Sequence, residues 1–353
     1  MRKANGQTLL FLSLLIIAAL AACRKDEPLP CIKESEKPCC DDFPDMWSSW
    51  IWESRFQYKA PYFNPNNSNE FVFYYKDWDL DKHQLVKYNL LTHQKTVLAN
   101  NVKIISQPKW NSKGWIAFDN EVDFQIWKLK ENGDSLFQST SSTFNFFPAW
   151  SSSGNKLYWQ YTPVRGVPYY FLRQELNGAT VDTLMRLGDA YDGYTAYNDV
   201  SVNDWLVSEM VFAPSQNIHI GYADLTTSGI IFKSVVNSTQ IHTQGISGMC
   251  WSHDGQSIYT SIVGSTETLG PNGMGLFNFN IATGAKKRIL CFCDSKMYNH
   301  LSCSPDGKYL IAERVDLQLT YDPQGNLNLK IIRSSSISLI DLQTNIETQL
   351  NLE

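Results

Sequence analysis

Three carboxylates at alternate positions, Asp77-Trp-Asp-Leu-Asp81, have the spacing with which a calcium loop opens. Such a loop needs glycine at its sixth position and glutamate at its twelfth to close around the ion. Here those positions are Lys82 and Tyr88, so the pattern fails. Cys291-Phe-Cys293 could supply half of a zinc site, but no second pair stands at ligand spacing. The histidines, at 83, 93, 219, 242, 253 and 300, include no two spaced to hold a metal from one element. Gly245-Ile-Ser-Gly-Met lacks the last glycine of a nucleophile elbow. These residues therefore imply no metal, no cofactor and no hydrolytic nucleophile.

One cysteine has a more informative setting. An apolar run from Leu9 to Ala22 follows Met1-Arg-Lys3, too short to span a bilayer but of the length of a signal peptide, and it ends in Leu20-Ala-Ala-Cys23. This ending resembles the bacterial lipobox, which implies cleavage after residue 22 and lipidation of Cys23. The next residues, Lys25, Asp26 and Glu27, resemble the surface-export signal of Bacteroidota lipoproteins. The implied address is the outer membrane, reached through a lipid anchor, with display at the cell surface. Asp134-Ser-Leu and Asp182-Thr-Leu resemble the O-glycosylation phrase of secreted proteins from the same group.

Removing residues 1–22 takes away Arg2 and Lys3 and no acid, so 30 basic residues become 28 against 35 acidic ones, a balance of −7. Nucleic acid is not an expected partner, because phosphate binding needs clustered positive charge. Of the eight cysteines, seven remain beside Cys23, an odd number in a compartment that permits disulfides. Cys250 and Cys303 sit at or next to a repeated anchor and read as small buried hydrophobes.

That anchor belongs to a phrase that recurs along most of the chain: an aromatic, then Ser or Asn, one or two polar residues, and Gly. It reads Trp110-Asn-Ser-Lys-Gly, Trp150-Ser-Ser-Ser-Gly, Trp251-Ser-His-Asp-Gly and, with cysteine in the aromatic's place, Cys303-Ser-Pro-Asp-Gly. Phe63 and Val200 hold the same position in two weaker copies without the turn glycine. Anchors at 63, 110, 150, 200, 251 and 303 mark six units, and a period in this range marks a propeller or solenoid. After each anchor come two strand-like runs, such as Trp115-Ile-Ala-Phe and Gln125-Ile-Trp-Lys-Leu. A second phrase, acidic or Asn, then Leu or Ile, any residue, Thr, follows at Asn89, Asp224, Asn280 and Asp341 and leads to a fourth, outer strand. The reading is all-β: a six-bladed β-propeller of four-stranded antiparallel blades over 59–353. Residues 1–22 are the signal peptide and 23–58 a tether with an aromatic end, whose Met46–Trp52 stretch is expected to pack on the propeller or add a strand.

With both phrases in view, the sequence resembles the TolB-like, WD40-like PD40 repeats, whose phrase is W-S-P-D-G. Only about 36 residues separate Cys23 from the first unit, so the α/β domain that precedes the propeller in TolB has no counterpart here, and no TolB binding role carries over. Ser252-His-Asp-Gly also resembles the Asp box of sialidases, but with one residue fewer between Asp and Gly; a tight turn is the simpler reading.

In an up-and-down blade, the links between second and third strands and those between blades emerge on one face. The former are long at 161–168, 263–273 and 314–335, so this face is the expected binding surface for an envelope protein, peptide or glycan. Trp78, Arg165, Tyr191, Asp192 and Tyr194 lie in its loops and could stack or hydrogen-bond. A non-catalytic binding module is the first reading. The alternative is a glycosidase-like propeller enzyme with carboxylates in the axial channel, for which the innermost strands offer few acids, Asp199 among them.

Overall fold

The structure, a computed structural model, describes residues 50–52, 55–163, 169–187, 196–212, 217–226, 233–236, 246–262, 275–290, 296–321 and 327–352. Six sheets follow one another, at 56–100, 109–138, 144–187, 196–236, 246–290 and 296–349, and in each the four strands pair antiparallel in chain order. The chain is a six-bladed, all-β propeller. Its innermost strands are Phe56–Asn64, Lys109–Trp110, Phe144–Trp150, Ala196–Val200, Ile246–Trp251 and Lys296–Cys303.

Where they occur, the two repeated phrases make the two turns at one end of the blade. The Ser or Asn after the anchor caps its own turn: Ser151, Ser252 and Ser304 each accept through Oγ the amide N–H five residues on, at 2.9–3.0 Å, and Asn111 accepts that of Trp115. The turn glycines 114, 154, 255 and 307 all have positive φ, which a side chain would strain. In the fourth blade, where glycine is missing, Asp204 takes the left-handed conformation itself (φ 58°). The first blade needs no such residue, since Asn64 pairs with Asn67 across a two-residue turn. The second phrase works through its acidic or Asn side chain, which accepts the next amides, as Asn280 Oδ1 does from Ala282 and Thr283. A backbone bond joins the two turns in all six blades, from Leu90, Glu131, Leu176, Leu225, Ile281 and Leu342 to Asn69, Gly114, Asn155, Asp204, Gln256 and Lys308. In each blade one turn thus satisfies a backbone group of the other.

Five of the innermost strands carry a bulge, at one place between Lys59 and Tyr62, Phe146 and Ala149, Ala196 and Asp199, and Asn299 and Ser302, and slightly earlier between Ile246 and Gly248. Ala60, Phe147 and His300 adopt left-handed φ there (50–53°). Proline follows at 61 and 148, where the lost N–H breaks no ladder bond. Gly248 lies against the neighbouring bulge so closely that a Cβ would stand 2.6 Å from His300 N.

Among the described residues the first blade lends none of its four strands to the last, and side chains join the two. Phe63, Phe71 and Tyr88 pack with Ile311, Ile337 and Leu352, and Lys95 Nζ donates to the Leu352 carbonyl at 2.5 Å. Ser335 Oγ donates to Tyr58 O at 2.8 Å, and Phe63 N donates to Ser302 Oγ at 3.1 Å.

The sixth blade departs from expectation. The link read as a loop over 314–335 is largely a β-ribbon, in which Tyr309–Tyr321 and Leu327–Asp341 run on past the blade. Alternation in Leu317-Gln-Leu-Thr-Tyr321 and Leu327-Asn-Leu-Lys-Ile331 suits pairing better than a loop. Trp50–Trp52 joins this ribbon as a parallel strand, from Trp50 opposite Ile331 to Trp52 opposite Arg333. The expected added strand is thus formed by these three residues; Met46–Ser49 lie outside the described residues.

Candidate functional site

One residue precedes each anchor on the innermost strands. Around the ring these residues are Tyr62, Lys109, Ala149, Asp199, Cys250 and Ser302. They carry opposite charges at 109 and 199, two blades apart, and the fold brings these together: Lys109 Nζ lies 3.4 Å from Asp199 Oδ1, with both residues buried. Tyr62 OH donates to Asp199 Oδ1 at 3.2 Å, and the Trp251 amide donates to Asp199 Oδ2 at 3.0 Å. Lys109 Nζ also donates to Gln107 Oε1 at 2.8 Å and sits 4.6 Å from the Tyr62 ring centre. The Gln107 amide reaches the carbonyls of Pro61, His300 and Leu301 at 2.6–3.2 Å, tying the second blade to the first and sixth.

This network forms the floor of an axial cavity of about 270 Å³, lined by Tyr62, Trp110, Trp150, Asp199, Trp251 and Cys303 among others and rimmed by the serine-bearing turns. Burial pushes the Lys109 ammonium pKa down, and the Asp199 charge opposes that shift. Burial, reinforced by Asp199, pushes the Tyr62 phenol far up. Burial likewise lifts the Cys303 thiol to about 12 and pushes that of Cys250 well above its ordinary value, which disfavours the thiolate at both. Both are free cysteines; Cys250 is buried, as its reading as a small hydrophobe expects, whereas Cys303 is only partly buried. The cavity opens among the first-to-second-strand turns, opposite the loop-bearing face.

A second polar layer lies at the bulges. Asp119, Gln160, Ser261 and Glu313 occupy one register of the second strands and are fully buried. Asp119 accepts the amides of Ser106 (2.8 Å) and Phe147 (3.0 Å), which fixes the strained bulge of the next blade. Burial raises its carboxyl pKa against those bonds. Glu313 accepts from His300 Nδ1 at 2.7 Å and, more weakly, from Ala60 N at 3.4 Å across the ring closure. Burial alone would raise the Glu313 pKa, but the His300 bond and charge outweigh it, with Lys59 adding to them, and hold it below the ordinary carboxylate value of 4.5. A carboxylate held down in the fold stabilises it above its unfolded pKa, and that stability is lost as pH falls through the lower folded value. Glu313→Gln should therefore be less stable than wild type at pH 7, and the gap between their melts should close progressively below about pH 4.5. A gap that stays constant from pH 7 to pH 3 would remove Glu313 from this role.

Of the sequence-predicted loop residues, Trp78 is half-exposed in the turn between Asn67–Asp77 and Lys82–Asn89, with Lys76 Nζ 3.0 Å from its ring centre. Arg165, Tyr191, Asp192 and Tyr194 lie outside the described residues, as do Cys23, Lys25, Asp26 and Glu27. The carboxylates of the failed calcium pattern have protein partners: Arg55 Nε lies 3.1 Å from both Asp77 and Asp79, and Asp81 bonds His83 Nε2 at 2.8 Å. Among the described residues no cluster of three His, Cys, Asp or Glu could hold a metal. Ser135 and Thr183 of the two glycosylation phrases are both exposed.

No protein-family model matches the sequence, and no curated protein does. Solved structures do match. A candidate TolB from Agrobacterium tumefaciens superposes with a TM-score of 0.56 at 14% identity, over 75% of this chain and 86% of that one. The fold is that of a TolB-like propeller. TolB from Acinetobacter baumannii follows at 0.50 and 15% identity, over 76% of this chain and 65% of that one. An oligogalacturonate lyase from Vibrio parahaemolyticus reaches 0.52 at 10% identity, over 83% and 77%. Likeness to proteins of such different function, at such identity, is a likeness of fold, and the function of this propeller has to be argued from its own side chains.

Proposed function

We propose that this chain is a lipid-anchored envelope protein whose propeller binds a protein, peptide or glycan through its loop-bearing face without transforming it. The observation that carries this reading is the state of Asp199. It is the one acid among the residues lining the axial cavity, and its two oxygens are occupied by Lys109, Tyr62 and the Trp251 amide. A glycosidase needs two carboxyl groups flanking a sugar, one of them free to give or take a proton, and this cavity presents no such pair among the described residues. The rim hydroxyls are also committed, as with Ser151, Ser252 and Ser304 in their own turns. Anchoring rests on Leu20-Ala-Ala-Cys23, and display at the surface on Lys25, Asp26 and Glu27.

Two measurements test the reading. Cells fed a labelled fatty acid should label the wild-type chain and not Cys23→Ser, because stable anchoring needs several acyl chains attached there; undiminished label on the variant would overturn the anchor. Purified protein incubated with envelope glycans should release no product. Product that appears with wild type and disappears with Asp199→Asn would install the enzyme instead.

A further inference from the structure

We infer that Ser135 is the acceptor of an O-linked glycan and that Thr183, in the matching phrase, is not. This rests on the export to the envelope proposed above, where the transferase would act. Asp134-Ser-Leu and Asp182-Thr-Leu differ only in the hydroxyl residue, and both hydroxyl residues are exposed. The fold separates them.

Ser135 stands on the link between Gln125–Lys130 and Phe137–Gln138, outside both strands, in a run over 134–138 that is exposed at every residue. The base of this link is fixed. Gly133 adopts a φ of 89° and lies so near the first blade that a Cβ would stand 3.1 Å from Leu98 O. Asn132 Oδ1 accepts the Asp134 amide at 3.1 Å, Asn132 Nδ2 donates to Asp134 Oδ2 at 2.8 Å, and the Asp134 carbonyl accepts Lys130 N at 2.8 Å. Beyond this turn Ser135 takes left-handed φ (59°), and its hydroxyl bonds no group among the described residues. An exposed tip with small polar residues is where a folded chain is open to other enzymes.

Thr183 is placed differently. It belongs to Val181–Leu187, the fourth strand of the third blade, where it pairs with Leu172, and the Asp182 carboxylate before it is held by Arg173 Nη2 at 2.8 Å. A transferase that draws its acceptor into a cleft would have to lift this strand from its ladder and leave backbone groups of Tyr169–Glu175 unpaired. At Ser135 no ladder bond is lost. Leu136 and Phe137, next in the chain, are each 42% exposed, although the Phe137 ring meets Trp115 edge-on at 5.7 Å. A bulky, solubilising sugar suits a surface with such neighbours. The link also lies at the end of the propeller that carries the paired turns, so a glycan there leaves the loop-bearing face free. The donor is a glycosyl diphosphate. Ser135 Oγ bonds its anomeric carbon as the bond from that carbon to the diphosphate oxygen breaks, the diphosphate leaves with the electron pair, and the hydroxyl proton passes to a base of the transferase.

The test uses the whole chain, purified from the cells that normally make it after feeding them a labelled fatty acid, with mass spectrometry of the intact protein and of its peptides. A mass excess made of whole sugar units is expected on the peptide that holds Ser135, lost completely in Ser135→Gly and kept in Thr183→Ala. Glycine suits the left-handed φ, so the first variant should fold as the wild type does. An excess that survives in Ser135→Gly overturns the assignment to this residue, and sugar on the Thr183 peptide overturns the distinction between the two phrases. A chain that carries the acyl label but no sugar overturns the glycan and leaves the anchor standing, whereas a chain with neither overturns both.

Discussion

Lys109→Ala is expected to destabilise the propeller by about 3–5 kcal/mol, the usual cost of removing one partner of a buried ion pair. Both residues of the pair are buried, and the alanine variant would leave the Asp199 carboxylate on the axis with a phenol and one amide as its remaining donors. It would also cut the second blade's contact with the fourth. Asp199→Asn keeps an acceptor for Trp251 N and removes the charge, so the double variant Lys109→Ala/Asp199→Asn should be more stable than the sum of the single changes predicts. A coupling of about 0.5–3 kcal/mol is the range for residues in direct contact. Denaturant unfolding of the four proteins measures it. Strictly additive losses would mean that the two charges do not act as a pair.

Trp251→Ala should cost a similar amount, about 3–5 kcal/mol, for a different reason. Its indole is buried among Val207, Met249, Ile258, Phe277 and Phe279, and it meets the Trp205 and Tyr222 rings edge-on at 6.3 and 6.2 Å. Its Nε1 has no hydrogen-bond partner, so the loss is one of packing alone. Trp150 occupies the same place two blades earlier, and its Nε1 donates to Lys109 O at 2.9 Å. Replacement by phenylalanine separates the two contributions: Trp150→Phe should lose more stability than Trp251→Phe, by about 0.5–1.5 kcal/mol for the missing bond. Thermal melts of the three variants check both statements, and a Trp251→Ala melt near wild type would place the anchor outside the core.

Turn chemistry is local, and that is why so much of the architecture was legible before any coordinates. A serine that caps the turn after its own anchor, an Asp-Gly pair that permits positive φ and an Asn that collects the following amides all act within about five residues, so their spacing states the blade count, the strand order and the turn positions. Even where the fourth blade lacks its glycine, the aspartate at 204 is a residue type that tolerates the left-handed conformation. The axial plug was half-visible. Lys109 and Asp199 stand at one repeat position with opposite charge, but only closing the ring decides that residues two blades apart meet, because that distance depends on the summed rotation of the blades and on no local pattern. The same holds for the closure at Phe63, Ile337 and Leu352, and for the ribbon that turned an expected loop over 314–335 into paired strands once Trp50–Trp52 had an edge to join. Last, Phe147 is unremarkable in sequence, one aromatic in a strand-like run. Tertiary structure alone decides its backbone, because a bulge pinned by a neighbouring blade's buried aspartate turns Phe147 into a conformation that its own sequence disfavours.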